Sequence, residues 1–499
     1  MISDLLDGLN TMISLYHILI ISFGVILGLI FGSIPGLTAT MAVAIFLPIT
    51  FTMEPVSGMA LLMGLYIGGM SGGFIPAILL NLPGTPSSIA TTFDGYVMAQ
   101  NGKAGRALGL AIFFSFLSGL LSIIVLIFTS PLLADFAIKF GPFEYFAITI
   151  FALTLISSLS EGSVLKGMMS GILGLLLAMV GSAPIDAYAR FTFGLKSLDA
   201  GFNLLPTLIG LFAVSEVIKI SEQKIKPLEE SGLKEKIKGF GFSIKTAFGQ
   251  SWNFIRSAFL GVAIGILPGL GGSTANIVAY ATAKNQSKTP EKFGEGIDTG
   301  VVASESANNA ATGGALVPLM ALGIPGDTVT AMILGGLIIH GIEPGPLFFT
   351  ENADVAYGIF AALFIANIFM VIFLFFGIRV FIKILNVPRH ILMPIIIVLC
   401  VVGAFAENNR IFDMGALLFF GIIGYLLIKL KFPITPIILG FILGPIAETN
   451  LRRGLMSTQG DFMPFLTEPI PLVFWIVTLL SIILAILKNI KSKGDELNV

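Results

Sequence analysis

Residues 8–53 read GLNTMISLYHILIISFGVILGLIFGSIPGLTATMAVAIFLPITFTM and contain no Asp, Glu, Lys or Arg. A helix rises 1.5 Å per residue, so about 20 apolar residues cross the ~30 Å hydrocarbon core of a bilayer. The stretch therefore predicts membrane helices, with a break where Pro35-Gly36 interrupts it. Charges are also absent from Ala107 to Ala134, from Ser257 to Ala283 and from Val355 to Ile378. Across the 499 residues, 55% are hydrophobic and 11% charged, less than half the roughly 25% charge of soluble domains. These runs exclude a soluble enzyme. They also exclude a β-barrel, whose strands alternate apolar and polar residues over about ten positions. The expected fold is an all-α polytopic membrane protein of 11–13 membrane segments, some broken or re-entrant.

Other function classes fall away on composition. The net charge of −1 offers no basic surface for nucleic acid. Cys400 is the single cysteine, which excludes internal disulfides and thiolate metal clusters. No H-E-x-x-H, G-x-S-x-G or P-loop motif is present. The N-terminus carries Asp4 and Asp7 and no basic segment, so a cleavable secretory signal is not expected. The 57 Gly and 25 Pro are many for a helical protein. In lipid, helix breaks are tolerated only where protein or a watery cavity receives the freed backbone groups. That favours a transporter or channel over an anchor.

Apolar segments fall near 12–34, 37–53, 57–82, 107–133, 143–159, 164–183 and 202–219, and then at 252–283, 299–341, 355–385, 391–406, 411–429, 433–447 and 470–487. Between the two sets, residues 219–245 hold Lys219, Lys224, Lys226, Lys234, Lys236, Lys238 and Lys245. The halves repeat. Gly28-x-x-x-Gly32-x-x-Pro35-Gly36-Leu37 matches Gly261-x-x-x-Gly265-x-x-Pro268-Gly269-Leu270. Pro76 and Pro83-Gly84 match Pro318 and Pro325-Gly326, and Gly171-Ile-Leu-Gly174 resembles Gly421-Ile-Ile-Gly424. The common order predicts a first repeat at 1–220, a cytoplasmic basic linker at 221–250, a second repeat at 251–450, and an extra C-terminal transmembrane helix with a basic tail at 451–499.

The Lys and Arg distribution sets orientation. With the linker inside, Lys166 and the Lys103/Arg106 loop are inside, and Lys139, Arg190 and Lys196 are outside. An inverted second half puts Arg379, Lys383, Arg389, Lys429 and Lys431 inside and Arg410, Arg452 and Arg453 outside, with the N-terminus outside. Five against three favours inversion, and parallel repeats stay open.

Proline removes a backbone donor and glycine permits positive φ. Each Pro-Gly in an apolar run should therefore break a helix and leave a half-helix N-terminus with unpaired N–H groups, a ready anion site. A single copy reads as a kink. Copies followed by small polar residues point to a site at the repeat interface. Thr38 follows Pro35-Gly36; Thr85, Ser87 and Ser88 follow Pro83-Gly84; Ser273, Thr274 and Asn276 follow Pro268-Gly269; Asp327 and Thr328 follow Pro325-Gly326. The hydroxyls and backbone N–H groups are expected to hold a carboxylate. Asp327 occupies the position equivalent to Thr85 and reads either as an N-cap or as a coupling charge.

Glu305, Asn308, Asn309 and Thr312 share one face if their segment is helical. Polar groups at membrane depth are functional by default; the competing reading is an interfacial turn. Asn81, Asn308 and Asn309 are the expected Na⁺ ligands, Asn276 and Thr312 join the ion-coupling set, and Glu305 or Asp327 carries the coupling charge. Three further features are weaker. Asp94 reads as the end of a re-entrant piece or a structural turn, Glu407-Asn408-Asn409-Arg410 as a loop, and His340 as a core histidine.

Together the Pro35-Gly36-Leu37, Asn81-Leu-Pro83-Gly84-Thr85-Pro86-Ser87-Ser88, Asp94-Gly95-Tyr96, Pro268-Gly269, Glu305-Ser-Ala-Asn308-Asn309-Ala, Gly323-Ile-Pro325-Gly326 and His340-Gly341-Ile-Glu343-Pro344-Gly345-Pro346 motifs resemble the large membrane subunit of tripartite tricarboxylate transporters, the TctA family. The resemblance runs from about residue 20 to 460. The chain departs from it at Gly271-Gly272-Ser273-Thr274, where the family has a Gly-Ala-Gly-Ala-like sequence.

The resemblance implies secondary active, ion-gradient-driven uptake of a di- or tricarboxylate such as citrate, and no enzymatic activity. It implies a small membrane subunit of about four helices and a periplasmic solute-binding protein as partners, in the bacterial inner membrane. No cofactor is expected beyond a coupling cation, Na⁺ or H⁺, and a homodimer stays open. A passive organic-anion channel is the alternative.

Overall fold

The computed structural model describes residues 2–159, 163–222, 240–385 and 389–496. The linker lysines Lys224, Lys226, Lys234, Lys236 and Lys238 lie outside the described residues.

The chain is helical almost throughout. In order it forms α1 (Ile2–Met12), α2 (Leu15–Ser33), α3 (Ala39–Thr50), α4 (Pro55–Gly72), α5 (Phe74–Leu80), α6 (Ile89–Gln100), α7 (Ala104–Ala137), α8 (Pro142–Leu159), α9 (Val164–Ala178), α10 (Leu204–Ile209) and α11 (Ser215–Glu222). After the linker come α12 (Ile244–Gly249), α13 (Ser251–Ile266), α14 (Gly271–Asn285), α15 (Asp298–Leu322), α16 (Thr328–Ile339), α17 (Phe348–Glu351), α18 (Ala353–Ile384), α19 (Arg389–Asn408), α20 (Ile411–Lys429), α21 (Ile434–Ser457), α22 (Pro464–Thr467) and α23 (Pro469–Glu496). The only strands among the described residues are β1 (Gly181–Ser182) and β2 (Ala189–Arg190), an antiparallel ribbon. Among the described residues, eight spans are long and apolar enough to cross a membrane, and shorter apolar helices, among them α3, α13 and α16, accompany them. Large side chains such as Phe376 and Val380 on α18 and Ile422 and Leu426 on α20 are exposed, as a lipid-facing surface requires. The chain is thus an all-α polytopic membrane protein.

It forms two compact units. The first contains Met1–Ala134 and Lys219–Gly403, and the second Asp135–Ile218 and Ala404–Val499. Each unit takes one piece from each half of the chain. The units therefore divide the molecule differently from the repeats read in the sequence.

Small residues assemble the first unit. Between apolar helices in lipid there is no hydrophobic driving force, so close backbone packing supplies the attraction. Gly24, Gly28 and Gly32 on α2 face Gly64, Gly68 and Gly72 on α4. A methyl group on Gly28 would stand 2.4 Å from the Leu65 carbonyl oxygen. Gly261 and Gly265 on α13 meet Ala307, Ala311 and Ala315 on α15 in the same way.

In the second unit Gly174 of α9 packs on the backbone of α21 at Ile437, while Gly421 of α20 meets Val214. Ion pairs tie its loops. Arg190 grips Glu448 with two bonds of 2.6 and 3.0 Å, and Arg452 bridges Glu448 and Asp186. The Arg452 guanidinium holds the Asp186 carboxyl below its ordinary range. Lys166 donates to the Leu430 carbonyl at 2.6 Å, and Arg410 donates to the Ser197 carbonyl at 2.8 Å. Each of these contacts joins segments that the Lys and Arg count assigns to one side of the membrane.

Candidate functional site

All four Pro-Gly breaks lie in the first unit, and they converge. Gly36 and Gly269 have φ of +96° and +80°, values that glycine adopts without a Cβ clash. Each sits just past the end of its helix, α2 or α13, and turns the chain toward the next. At the second pair, Gly84 donates its N–H to Gly73 at 3.2 Å, and the Gly326 carbonyl accepts from Gly269 at 2.7 Å. A methyl group on Gly84 would lie 2.2 Å from the Gly32 carbonyl oxygen, and one on Gly326 2.6 Å from the Gly265 carbonyl oxygen. Pro83-Gly84 is thus seated on the helix ending at Pro35-Gly36, and Pro325-Gly326 on the helix ending at Pro268-Gly269.

Corresponding positions share their local geometry. Asn81 and Gly323 both end a helix in the left-handed region, with φ of +56° and +71°. Ser88 Oγ accepts from the Thr85 N–H at 3.4 Å, as Thr330 Oγ1 accepts from the Asp327 N–H at 2.8 Å. Contacts also cross between the halves. Thr40 and Thr328 pair their hydroxyls at 2.8 Å, and a methyl group on Gly272 would stand 3.1 Å from Ser87 Oγ.

α15 crosses the middle of this unit, and Val301 to Ala321 are all buried. Glu305, Asn308, Asn309 and Thr312 lie on it at helical spacing, so the interfacial-turn reading is set aside. The Glu305 carboxylate accepts from the Thr91 hydroxyl of α6 and from the Ser115 hydroxyl of α7, the latter at 3.3 Å. Asn309 Oδ1 accepts from Ser71 at 2.7 Å, and its Nδ2 donates to Ser115 at 2.7 Å and to the Glu305 carbonyl at 3.4 Å. Thr312 donates back to the Asn309 carbonyl within the helix at 2.6 Å. Asn276 of α14 accepts from the Ala90 N–H at 2.7 Å and donates to the Ser304 carbonyl at 3.2 Å. Asn308 donates to the Met70 carbonyl at 3.4 Å. Among the described residues no Lys, Arg or His pairs with Glu305. A carboxylate so enclosed needs a proton or a cation, because an isolated buried charge costs many kcal/mol.

Several expected site residues stand elsewhere. Asn81 is exposed at the end of α5 and takes no part in the network of Asn308 and Asn309. Its type suits the left-handed turn, since Asn tolerates positive φ better than most residues. Thr38 caps α3 by accepting from the Met41 N–H at 3.2 Å. Asp327 caps α16, with Oδ1 accepting from the Thr330 N–H at 2.7 Å and Oδ2 from the Tyr66 hydroxyl at 2.8 Å. The N-termini of α3 and α16 are therefore closed by their own side chains. The start of α14 has no side-chain cap. There Ser273 and Thr274 are half-buried on the first turn. Thr85 and Ser87 are buried; Ser87 donates to Met70 Sδ at 3.9 Å, and Thr85 Oγ1 has no partner.

Asp94 is a correction. It neither ends a re-entrant piece nor makes a turn, but lies within α6, fully buried. Oδ1 accepts from the N–H groups of Gly294, Gly296 and Ile297, each at 2.9 Å, and Oδ2 accepts from the Tyr280 hydroxyl at 2.9 Å. It fastens the α14–α15 loop to α6, and next to it Arg106 of α7 grips Asp298 at 2.9 and 2.5 Å. Of the expected loop Glu407 to Arg410, only Asn409 and Arg410 join α19 to α20, with Asn409 at φ +52°, while Glu407 and Asn408 form the last turn of α19. His340 is half-buried at the end of α16. Tyr66, Ser71, Thr91, Ser115 and Tyr280 were not singled out in the sequence. Single hydroxyls in apolar helices carry no spacing signal, and only Thr91, three residues before Asp94, stood near a noted motif.

A helical multi-pass membrane protein with broken helices gathered around an enclosed polar centre is built as membrane transporters are. Residues 18–439 match the tripartite tricarboxylate transporter TctA family, and the chain belongs to that family. It is therefore a component of a tripartite tricarboxylate transporter, a system with partner subunits, and its family is one of transporters rather than enzymes. A protein of Agrobacterium vitis described as "Uncharacterized 52.8 kDa protein in TAR-I ttuC' 3'region" is 39% identical over 499 residues, covering 100% of this chain and 99% of its own length. A second, "Uncharacterized protein in TAR-II ttuC' 3'region" from the same organism, is 40% identical over 239 residues, covering 48% of this chain and 99% of its own length. No solved structure matches the chain.

Proposed function

We propose that this chain is the permease subunit of a tripartite system in the bacterial inner membrane, and that it takes up a di- or tricarboxylate by coupling to a cation gradient. The observation that carries the reading is Glu305. It is a fully buried carboxylate with no cationic partner among the described residues, bonded by the Thr91 and Ser115 hydroxyls and the Asn308 amide, on the helix against which α14 packs. In this reading Glu305 takes up the coupling proton or Na⁺, with Asn309, Ser115 and Thr91 holding it in place. The substrate carboxylate lies at the start of α14, where the first-turn N–H groups have no intrahelical acceptor and Ser87 adds a hydroxyl. A neutral donor set suits a carrier, which must release its anion on the other side.

A periplasmic solute-binding protein delivers the substrate, and a small membrane subunit completes the assembly. The test is uptake into proteoliposomes holding the assembled membrane subunits, with binding protein supplied. Citrate and other carboxylates are offered under separate Na⁺ and pH gradients. Accumulation against the substrate's own gradient supports the reading. Flux that follows only the substrate gradient would mean a passive anion channel and sink it.

A further inference from the structure

Asn308 has an unused oxygen. The residue is fully buried on α15. Its Nδ2 donates to the Met70 carbonyl, while its Oδ1 has no hydrogen-bond partner. Nearly all buried polar atoms are paired, so an unpaired amide oxygen calls for an explanation. Exchanging the two ends of the amide would bring Oδ1 against the Met70 carbonyl, acceptor to acceptor. The Met70 contact therefore fixes the orientation.

The oxygen is aimed at the uncapped start of α14. A methyl group on Gly272, the second residue of that helix, would stand 2.8 Å from Asn308 Oδ1 and 3.1 Å from Ser87 Oγ. The same point lies 2.7 Å from the Met70 methyl, the flexible end of a side chain that can turn aside. Gly272 thus keeps open a small cradle between a helix N-terminus, a hydroxyl and an amide oxygen.

These groups ask for different atoms. The first-turn N–H groups and the positive end of the helix favour an anionic oxygen and disfavour a cation. Asn308 Oδ1 accepts only, so it needs a donor. A carboxylate alone would face it acceptor to acceptor. A carboxylate with a neighbouring hydroxyl satisfies both sides: its oxygen takes the α14 N–H groups, and its O–H donates to Asn308. We propose that Asn308 is the residue that selects hydroxylated carboxylates, and that Gly272 leaves the space in which the hydroxyl is read. This rests on the reading above, that the start of α14 receives the substrate carboxylate.

The test compares acids that differ only in the hydroxyl: citrate against propane-1,2,3-tricarboxylate, and malate against succinate, taken up by the assembled system in proteoliposomes. A buried group built to bond a hydroxyl rejects the analogue lacking it strongly, so the wild-type preference should reach at least about 100-fold. In Asn308→Leu, of similar size and without an acceptor, the ratio should fall to a few-fold while uptake of the deoxy acid persists. Gly272→Ala, which fills the cradle, should also lower the ratio.

A wild-type ratio near one overturns the proposal without any variant, and leaves cation-coupled transport standing. Equal losses for both acids in Asn308→Leu, with Gly272→Ala keeping the wild-type ratio, would mean a merely structural amide. An unchanged ratio with a higher half-saturating Na⁺ concentration would make Asn308 a cation ligand. Each of these results overturns the assignment. Failure to concentrate any carboxylate under any gradient would overturn the transport reading as well.

Discussion

Tyr66 donates its hydroxyl to Asp327 Oδ2 at 2.8 Å, tying α4 to the first turn of α16, while Oδ1 of the same carboxylate accepts from the Thr330 N–H at 2.7 Å. Both oxygens are engaged in holding the fold. Asn is as good an N-cap as Asp, so Asp327→Asn should stay within about 1 kcal/mol of wild type and keep gradient-driven uptake. Asp327→Ala loses the cap, about 0.5–2 kcal/mol, and leaves the Tyr66 hydroxyl buried without its acceptor, about 1–3 kcal/mol more. Thermal unfolding in detergent measures both. Uncoupled transport in Asp327→Asn at a normal unfolding midpoint would return this residue to a coupling role.

Glu305 has the opposite environment: it caps no helix and meets only neutral donors, the Thr91 and Ser115 hydroxyls and the Asn308 amide. Glu305→Gln preserves shape and an acceptor for Thr91 but cannot take up a proton or balance a cation. The variant should insert and fold, and should still exchange labelled substrate across the membrane. It should no longer accumulate substrate above equilibration. Counterflow and concentrative uptake in the same vesicles separate the two. Concentrative uptake at the wild-type level would remove Glu305 from the coupling step.

The contrast between these carboxylates shows what the sequence could tell. Pro-Gly is legible because both residues act on their own backbone, so the four breaks are where the pattern put them. The polar face of α15 is legible because it follows helical spacing. Asp94 was not legible as a fastener, because its donors Gly294, Gly296 and Ile297 lie about two hundred residues away in the chain. An Asn in an apolar run looks like a ligand, and Asn81 in the structure ends α5 in a left-handed turn. The two units were hidden for a similar reason: apolar segments show that helices exist, while the small residues that pair them are spread too widely to match by eye.

The Asp94 fastening gives a further prediction. Its carboxylate accepts four hydrogen bonds, and bonds to a charged acceptor contribute about 1.5–3 kcal/mol each when lost. Asp94→Asn keeps one acceptor oxygen for the three loop N–H groups but removes the negative charge they bond and the oxygen that accepts from Tyr280. The α14–α15 loop should open, at a cost of about 3 kcal/mol. Amide exchange at Gly294, Gly296 and Ile297 should speed up by about a hundredfold or more, and the loop should become a proteolytic site. Exchange rates unchanged from wild type would show that Asp298 and Arg106 hold the loop without it.

Gly68 tests the small-residue seam that carries part of the site. A methyl group there would lie 2.3 Å from the Val25 carbonyl oxygen and 2.9 Å from the Leu29 nitrogen. Both are backbone atoms, so α2 and α4 must move apart. Overpacking of this kind costs about 1–3 kcal/mol. Gly249, at the end of α12, has nothing within 4 Å of the equivalent point, so Gly249→Ala is the matched control and should be neutral within about 0.5 kcal/mol. The displacement also reaches function, because α4 bears Met70 and Ser71, which bond Asn308 and Asn309. Gly68→Ala should therefore lower the unfolding midpoint and the uptake rate together. A lowered midpoint with full uptake would mean that the α4 contacts to α15 do not position the site.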